Sequence, residues 1–378
     1  MTAKKLTIRW AIFSTFLSLL VLGFTHPVYA FPELVKHGYT NCTSCHVSPT
    51  GGGVLTPYGR GLSKEVLSQF GKEGEESFAF GLVKTPDWLN AGGDFRELGL
   101  YQENATVRAG RTIFMQADLE AAVTAKNFTV DATLGYLDTQ SPQPAIQHVI
   151  SRRHYALYRP IETLSFRGGR FQPAYGINVP DHQIFARRGL AFEDEGMESY
   201  NLEAAWIGER FNSYVTAVFG RPDNKSLNRE TGVALSNSLG IADNYKVGLS
   251  YFYGVNTTQN RHLMGPFGIL GFTPKFSLLS EFDFQGASVG PDYATRTWGI
   301  VDYQKLDYEY FQGFHGFLVQ QLSRPNFSNG STLMKSYGIG LQYFPRPHFE
   351  ISATWEIQTI ATSSDYSDYA YLMLHFYP

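Results

Sequence analysis

From Gly93 onward the chain is written in period two, and nothing else in it restricts the fold as strongly. Ile113, Met115, Ala117, Leu119, Ala121 and Val123 alternate with Phe114, Gln116, Asp118, Glu120, Ala122 and Thr124. Phe128, Val130, Ala132, Leu134 and Tyr136 alternate with Asn127, Thr129, Asp131, Thr133 and Gly135, and Phe349 to Ile357 repeats the pattern. Successive side chains of a strand point to opposite faces, so each run has one apolar and one polar face. The runs fall at 93–104, 111–124, 127–138, 149–159, 162–173, 200–208, 210–220, 231–240, 244–254, 261–271, 273–286, 295–307, 312–322, 335–344, 347–358 and 368–377. Most approach the 9–11 residues that carry a tilted strand across a bilayer.

The connections alternate as well. After even-numbered runs they are short, as at Ala125-Lys126, Pro160-Ile161, Glu209, Phe272 and Pro345-Arg346. After odd-numbered runs they are mostly longer, and the third reaches 26 residues at 174–199. Short turns at one end, long loops at the other and an even strand count describe an outer-membrane barrel. The expected fold is all-β: a 16-stranded antiparallel transmembrane β-barrel over 93–378. A secreted β-sandwich is the competing fold, because one apolar face also suits a soluble sheet.

Composition agrees. Charged residues are only 17% of the chain, whereas aromatics reach 15% with 23 Tyr and 29 Phe. That excludes a disordered chain, which is charge-rich and aromatic-poor. The net charge of −3, with no basic run, excludes a nucleic-acid surface. Mean hydropathy is −0.20, and no apolar run after residue 30 approaches the ~20 residues of a membrane helix.

Residues 1–30 read as a signal peptide. Lys4, Lys5 and Arg9 precede the apolar stretch Trp10 to Phe24, and Val28-Tyr29-Ala30 offers a cleavage site after Ala30. The leader takes three positive charges with it, leaving −6 on the remainder. Export past an inner membrane delivers the chain to an oxidising compartment.

Both cysteines belong to Cys42-Thr43-Ser44-Cys45-His46, a C-x-x-C-H motif. Two thiols at this spacing reach the two vinyl groups of one haem, and the following His turns under the ring to bind iron. A thioredoxin-like pair lacks its βαβ context, a zinc site lacks a fourth ligand, and a Cys42–Cys45 disulfide has no further support. The expectation is one covalent c-type haem, with Cys42 and Cys45 as thioethers and His46 as the proximal ligand. Residues 31–92 contain no Met, so His37 is the local candidate for the second axial position. His348 and His375 are alternatives from the last hairpin, whose polar face also carries Tyr371 and Met373, with Leu372, Leu374 and Phe376 toward lipid. The chain ends Phe376-Tyr377-Pro378 rather than on an aromatic residue.

Residues 31–80 form a small haem segment and 81–92 a linker. Gly51-Gly52-Gly53 breaks any helix leaving the motif, and Leu62, Val66 and Phe70 share a helical face further on. So short a unit buries little by itself and needs the haem, or a larger body around it. In the barrel, Asp118, Glu120, Asp131, Glu281, Asp283, Glu350 and Glu356 point inward, and Arg152, Arg153, Arg159, Arg167 and Arg170 gather on strands four and five. They read either as a pore field or as an acidic path that concentrates a cation. Loop 174–199 carries Asp181, His182, Glu193, Asp194, Glu195 and Glu198, a set suited to a divalent metal or to solvent. No nucleophile triad, phosphate loop or HExxH helix is present, so hydrolase and transferase readings lack residues.

A leader, one C-x-x-C-H motif near the start and a sixteen-strand barrel resemble the fused outer-membrane cytochrome–porin family, whose best-known members oxidise ferrous iron at the cell surface. The likeness is strongest over 31–70, where Phe31-Pro32 precedes the motif and Pro57-Tyr58-Gly59-Arg60 follows it. Across the barrel it is architectural. The resemblance implies a haem at or inside the pore, in the outer membrane of a Gram-negative bacterium, passing electrons between an extracellular donor or acceptor and a periplasmic carrier. Cys42, Cys45 and His46 match the family motif; no iron-binding residue matches, so the donor stays open. The alternative function is a diffusion porin whose haem-bearing segment is a plug or docking module. Neither reading sets an oligomeric state.

Overall fold

The computed structural model describes residues 32–136, 148–181, 184–188, 198–290, 292–360 and 365–378. The expected signal peptide 1–30 lies outside them, as do His182, Glu193, Asp194 and Glu195.

Seventeen strand segments form one antiparallel sheet: β1 Leu89–Glu103, β2 Arg108–Ala125, β3 Phe128–Tyr136, β4 Val149–Ile150, β5 His154–Ile161, β6 Leu164–Phe171, β7 Ser199–Ile207, β8 Phe211–Val218, β9 Thr231–Ala242, β10 Tyr245–Val255, β11 Gln259–Thr273, β12 Phe276–Val289, β13 Thr295–Phe311, β14 Phe314–Arg324, β15 Met334–Arg346, β16 Phe349–Ile360 and β17 Tyr366–Phe376. β4 and β5 both pair with β3, so they share one position and the barrel has sixteen staves. β1 pairs with β2 on one side and β17 on the other, which closes the ring and leaves no edge unpaired.

Turns of two or three residues join the staves at one end, and most connections at the other end are longer. The short-turn end is periplasmic, and this is a Gram-negative outer-membrane barrel. Aromatic rings line that end from β10 to β15: Tyr245, Phe272, Phe276, Tyr308, Tyr310, Phe314 and Tyr343 form an unbroken chain of ring contacts. Such a belt seats a barrel at the headgroup level. Outward side chains such as Leu134, Trp355, Leu372 and Leu374 are exposed, while Thr129, Asp131, Tyr371 and His375 are buried in the lumen.

Several boundaries and one face assignment differ from the sequence reading, and three of these differences have a clear local reason. β1 begins at Leu89 rather than 93, because Leu89 to Gly92 already pair with Val123 to Glu120, and this shortens the linker. The β11–β12 turn falls at Pro274-Lys275 rather than Phe272: Thr273 pairs with Phe276, and Pro274 has no N–H to give a ladder. In β2 a bulge opposite Arg96/Glu97 inserts Met115, so Phe114 is 43% exposed to lipid instead of facing the lumen.

Ile339 sits mid-strand in β15 and is 53% exposed. An Ile339→Arg barrel should lose about 2–4 kcal/mol, the cost of a lipid-facing charge near the midplane. Urea titration of folding into vesicles measures it.

Candidate functional site

The segment before the barrel lies inside it, across the periplasmic mouth. It opens with a 3-10 turn, Pro32–His37, whose Lys36 pairs with Asp307 at 3.3 Å while Glu33 pairs with Lys305 at 2.6 Å. Thr40 donates to the Glu209 carbonyl, Ser63 Oγ accepts from the His348 amide, and the Gln69 amide donates to the Phe344 carbonyl. Glu75 pairs with Arg346. These partners stand on turns and stave ends between β7 and β16, so the segment spans the mouth from wall to wall. Two apolar clusters seat it, Leu34 and Leu67 on Phe344, and Val47 and Val54 on Ala122.

The C-x-x-C-H motif is the inner edge of this plug. His46 and Cys45 donate their amides to the Cys42 carbonyl, which curls the motif into one turn. His46 then bridges Leu55, and Val47 donates to the Val54 carbonyl. Gly51, Gly52 and Gly53 all have positive φ and let the chain double back. Thr56 caps the helix Pro57–Leu62 by accepting from the Gly59 amide at 3.1 Å, with Pro57 at the first position. Gly59 lies so close to the motif that a Cβ there would stand 2.4 Å from the Cys45 carbonyl oxygen. The Leu62–Phe70 helical stretch expected from sequence is shorter: the helical turns end at Leu67, and Phe70 is exposed.

Opposite the motif, the described part of the third outer loop folds into the lumen. Tyr175 donates to Asp283 at 2.9 Å, the Ile177 amide to Glu281, the Gly176 amide to Ser250 and the Phe185 amide to Gln321. Tyr175, Ile177, Ile184 and Phe185 join Phe252, Leu263, Leu279 and Val301 in the largest apolar cluster. One half of the lumen is therefore an apolar core. The sequence signal for it was the loss of alternation in Leu263 to Phe272, where apolar side chains occupy both faces.

The other half is charged, and its charges pair side by side. Arg152 meets Asp118 at 2.8 Å, Arg153 meets Glu120 at 3.0 Å, Arg167 meets Glu203 at 2.7 Å and Arg170 meets Glu198 at 3.6 Å. Arg159 donates to the Val47 carbonyl. These contacts neutralise Asp118, Glu120, Glu198 and Glu203 locally rather than leaving a continuous acidic path. Glu198 serves the wall, and Asp181 is exposed. Among the described residues no group of three or more His, Cys, Asp or Glu is arranged to hold a metal ion.

Between plug, inward loop and charged wall lies a cavity of about 300 Å³, lined by Cys42, Cys45 and His46 together with Tyr175 to Pro180. The two thiols are free rather than joined as a disulfide. Burial pushes the Cys45 thiol up to about 12 and the His46 imidazole down to about 4. A neutral imidazole keeps the lone pair a metal needs. His46 Nδ1 is buried without a hydrogen-bond partner among the described residues. Two free thiols, a neutral buried imidazole and a cavity lined by all three fit a c-type haem.

The candidates for a second axial ligand are spread out. His37 faces Glu309 and His315 at the mouth, away from the cavity lining, and burial holds it down at about 4. His375 lines the cavity, its ring held between Glu350 at 3.0 Å and Asp94 at 3.2 Å. His348 is fully buried with neither ring nitrogen partnered among the described residues, and the Tyr377 ring stands between it and His375.

His348 occupies the β15–β16 turn with φ 62, under the plug residues Ser63 and Phe80. Burial, reinforced by the Arg60 guanidinium, holds it down at about 3, with Glu76 pulling the other way. A group whose pKa is lower folded than unfolded costs nothing above pH 6.5, its free value. It destabilises the docked plug progressively as pH falls from there toward about 3, because only the released state takes the proton. Pepsin cleavage of the plug should rise through that window. In His348→Asn, which does not titrate and tolerates positive φ, the rise should move to lower pH; equal profiles would contradict this.

No family model and no curated protein matches the chain. Solved structures similar to it are porin-like outer-membrane barrels. OprB of Pseudomonas putida matches with a TM-score of 0.60 at 10% identity, covering 77% of this chain and 94% of that one. The outer membrane channel DcaP of Acinetobacter baumannii gives 0.56 at 9%, covering 78% and 99%. Salmonella typhi OmpF gives 0.56 at 12%, covering 77% and 97%. At such identities the likeness establishes the fold: a porin-like barrel.

Proposed function

We propose that this barrel carries one c-type haem in its plug and passes electrons between an extracellular donor or acceptor and a periplasmic carrier. The observation that supports it most is the shared cavity: Cys42, Cys45 and His46 line one space inside the lumen. Cys42 and Cys45 would hold the haem covalently and His46 would ligate its iron. When bound, the haem supplies a one-electron redox centre. The chain's own residues do the rest. Burial keeps His46 neutral, the helix Pro57–Leu62 backs the motif, and the inward loop covers the cavity. One centre does not span a ~30 Å core, so a periplasmic carrier works at the plugged mouth. The resemblance to fused cytochrome–porins makes ferrous iron the first donor to try.

A second reading is favoured by the porin-like neighbours: a diffusion channel in which the plug only narrows the pore. Liposomes holding the mature protein and a trapped redox dye separate the two. An impermeant reductant outside should reduce haem and then dye, and His46→Ala should abolish both. A silent dye in vesicles that leak small sugars would leave the diffusion channel.

A further inference from the structure

We propose that His375 is the second axial ligand of the haem and that Glu350 orients it; this rests on the haem reading above.

Position singles it out. Among the described residues, His375 is the one histidine besides His46 that lines the cavity. His46 stands on the plug and His375 on β17, in the barrel wall. His37 and His348 do not line the cavity, and the Tyr377 ring stands 4.8 Å from His375 and 5.6 Å from His348, between the two. The lining holds no Met, and each of its tyrosine hydroxyls is already hydrogen-bonded. Lys246 is the competing donor, and an ammonium must first give up a proton to bind a metal.

The ring is also set as a ligand is. Glu350 is the cross-strand partner of His375 in the β16–β17 ladder. His375 Nδ1 lies 3.0 Å from Glu350 Oε2, and a carboxylate only accepts, so Nδ1 carries a proton. Gln342 donates to the other Glu350 oxygen at 2.6 Å and fixes it. His375 Nε2 is buried with no hydrogen-bond partner among the described residues; Asp94 Oδ1 lies 3.2 Å away, outside hydrogen-bond geometry. Asp94 holds Arg96 through Oδ2 at 2.8 Å, so it keeps a counter-ion when Nε2 turns to a metal. A metal-bound imidazole characteristically donates its other N–H to a carboxylate, which fixes the ring and strengthens the donor nitrogen. Ligation by His46 and His375 together ties the plug to the barrel wall.

The test takes near-infrared magnetic circular dichroism and electron paramagnetic resonance spectra of the oxidised, haem-loaded mature protein. The wild type should be low-spin with the signature of two imidazoles. His375→Ala should turn high-spin, and added imidazole should restore the low-spin signal. His37→Ala, His348→Asn and Lys246→Gln should keep the wild-type spectra, and these controls decide the matter by elimination if His375→Ala does not fold. Glu350→Gln should keep both imidazoles but weaken the donor, favouring the reduced haem about tenfold, which is ~59 mV upward for a one-electron couple. A high-spin or imidazole–amine wild type, a two-imidazole signature that survives in His375→Ala, or its loss in any of the three controls would overturn the ligand. An unmoved potential in Glu350→Gln would overturn the orienting role. Wild-type protein without haem would instead refute the haem reading itself.

Discussion

Removing residues 32–84 should convert the barrel from a closed body into an open pore. The deleted segment reaches the wall through Lys36–Asp307, Glu33–Lys305, Thr40 on Glu209, Gln69 on Phe344 and Glu75–Arg346. The staves need none of these contacts, because β1 closes on β17 through its own ladder. A ring of sixteen strands is wide enough to leave an aqueous channel unless something fills it. Planar-bilayer recordings should show little conductance for the mature chain and discrete, much larger steps for the deletion. The inward loop survives the deletion, so the steps should be smaller than those of a barrel lacking 172–188 as well. Equal conductance with and without the plug would mean that the segment does not occlude the mouth.

Arg167→Ala should be the most damaging single substitution in the charged wall. Arg167 and Glu203 are each 1% exposed and joined by two contacts, Nη2 at 2.7 Å and Nε at 3.1 Å. The guanidinium also lies 3.7 Å over the Phe171 ring and donates to Ser48 and Thr50, just past the motif. Removing it strands a buried carboxylate and unhooks the loop that carries Cys42 to His46. Breaking one half of a buried pair costs about 3–5 kcal/mol, whereas removing both partners is far milder. The urea midpoint of Arg167→Ala should fall accordingly, and Arg167→Ala/Glu203→Ala should recover most of the loss. Equal losses in the single and double variants would show that Glu203 is not left stranded.

The staves were legible because lipid imposes its rule on every one of them: Phe128, Val130 and Leu134 must face outward, whatever the lumen holds. The rule keeps no memory across a bulge, which is why Phe114 and Ile113 exchanged faces at Met115. It is also silent about what fills the interior. Tyr175, Ile177 and Phe185 lie in a loop, yet they pack on Phe252, Leu263 and Leu279, which belong to strands far along the chain. The C-x-x-C-H motif was legible because its chemistry is local, five residues long. The cavity beside it was not, since Cys42, Arg187 and Lys246 share no sequence neighbourhood and meet only when the barrel closes. The inward Arg and carboxylate side chains were expected, but their matching into Arg153–Glu120 and Arg167–Glu203 depends on register between staves.

The most direct test is the intact mass of the mature protein made in cells that attach c-type haem, read with the mass of the proteolytic peptide containing residues 42–46. One haem per chain on that peptide, lost in Cys42→Ala/Cys45→Ala while the barrel still folds, is the predicted result. Two thiols that alkylate freely, on a peptide of unmodified mass, would contradict the account.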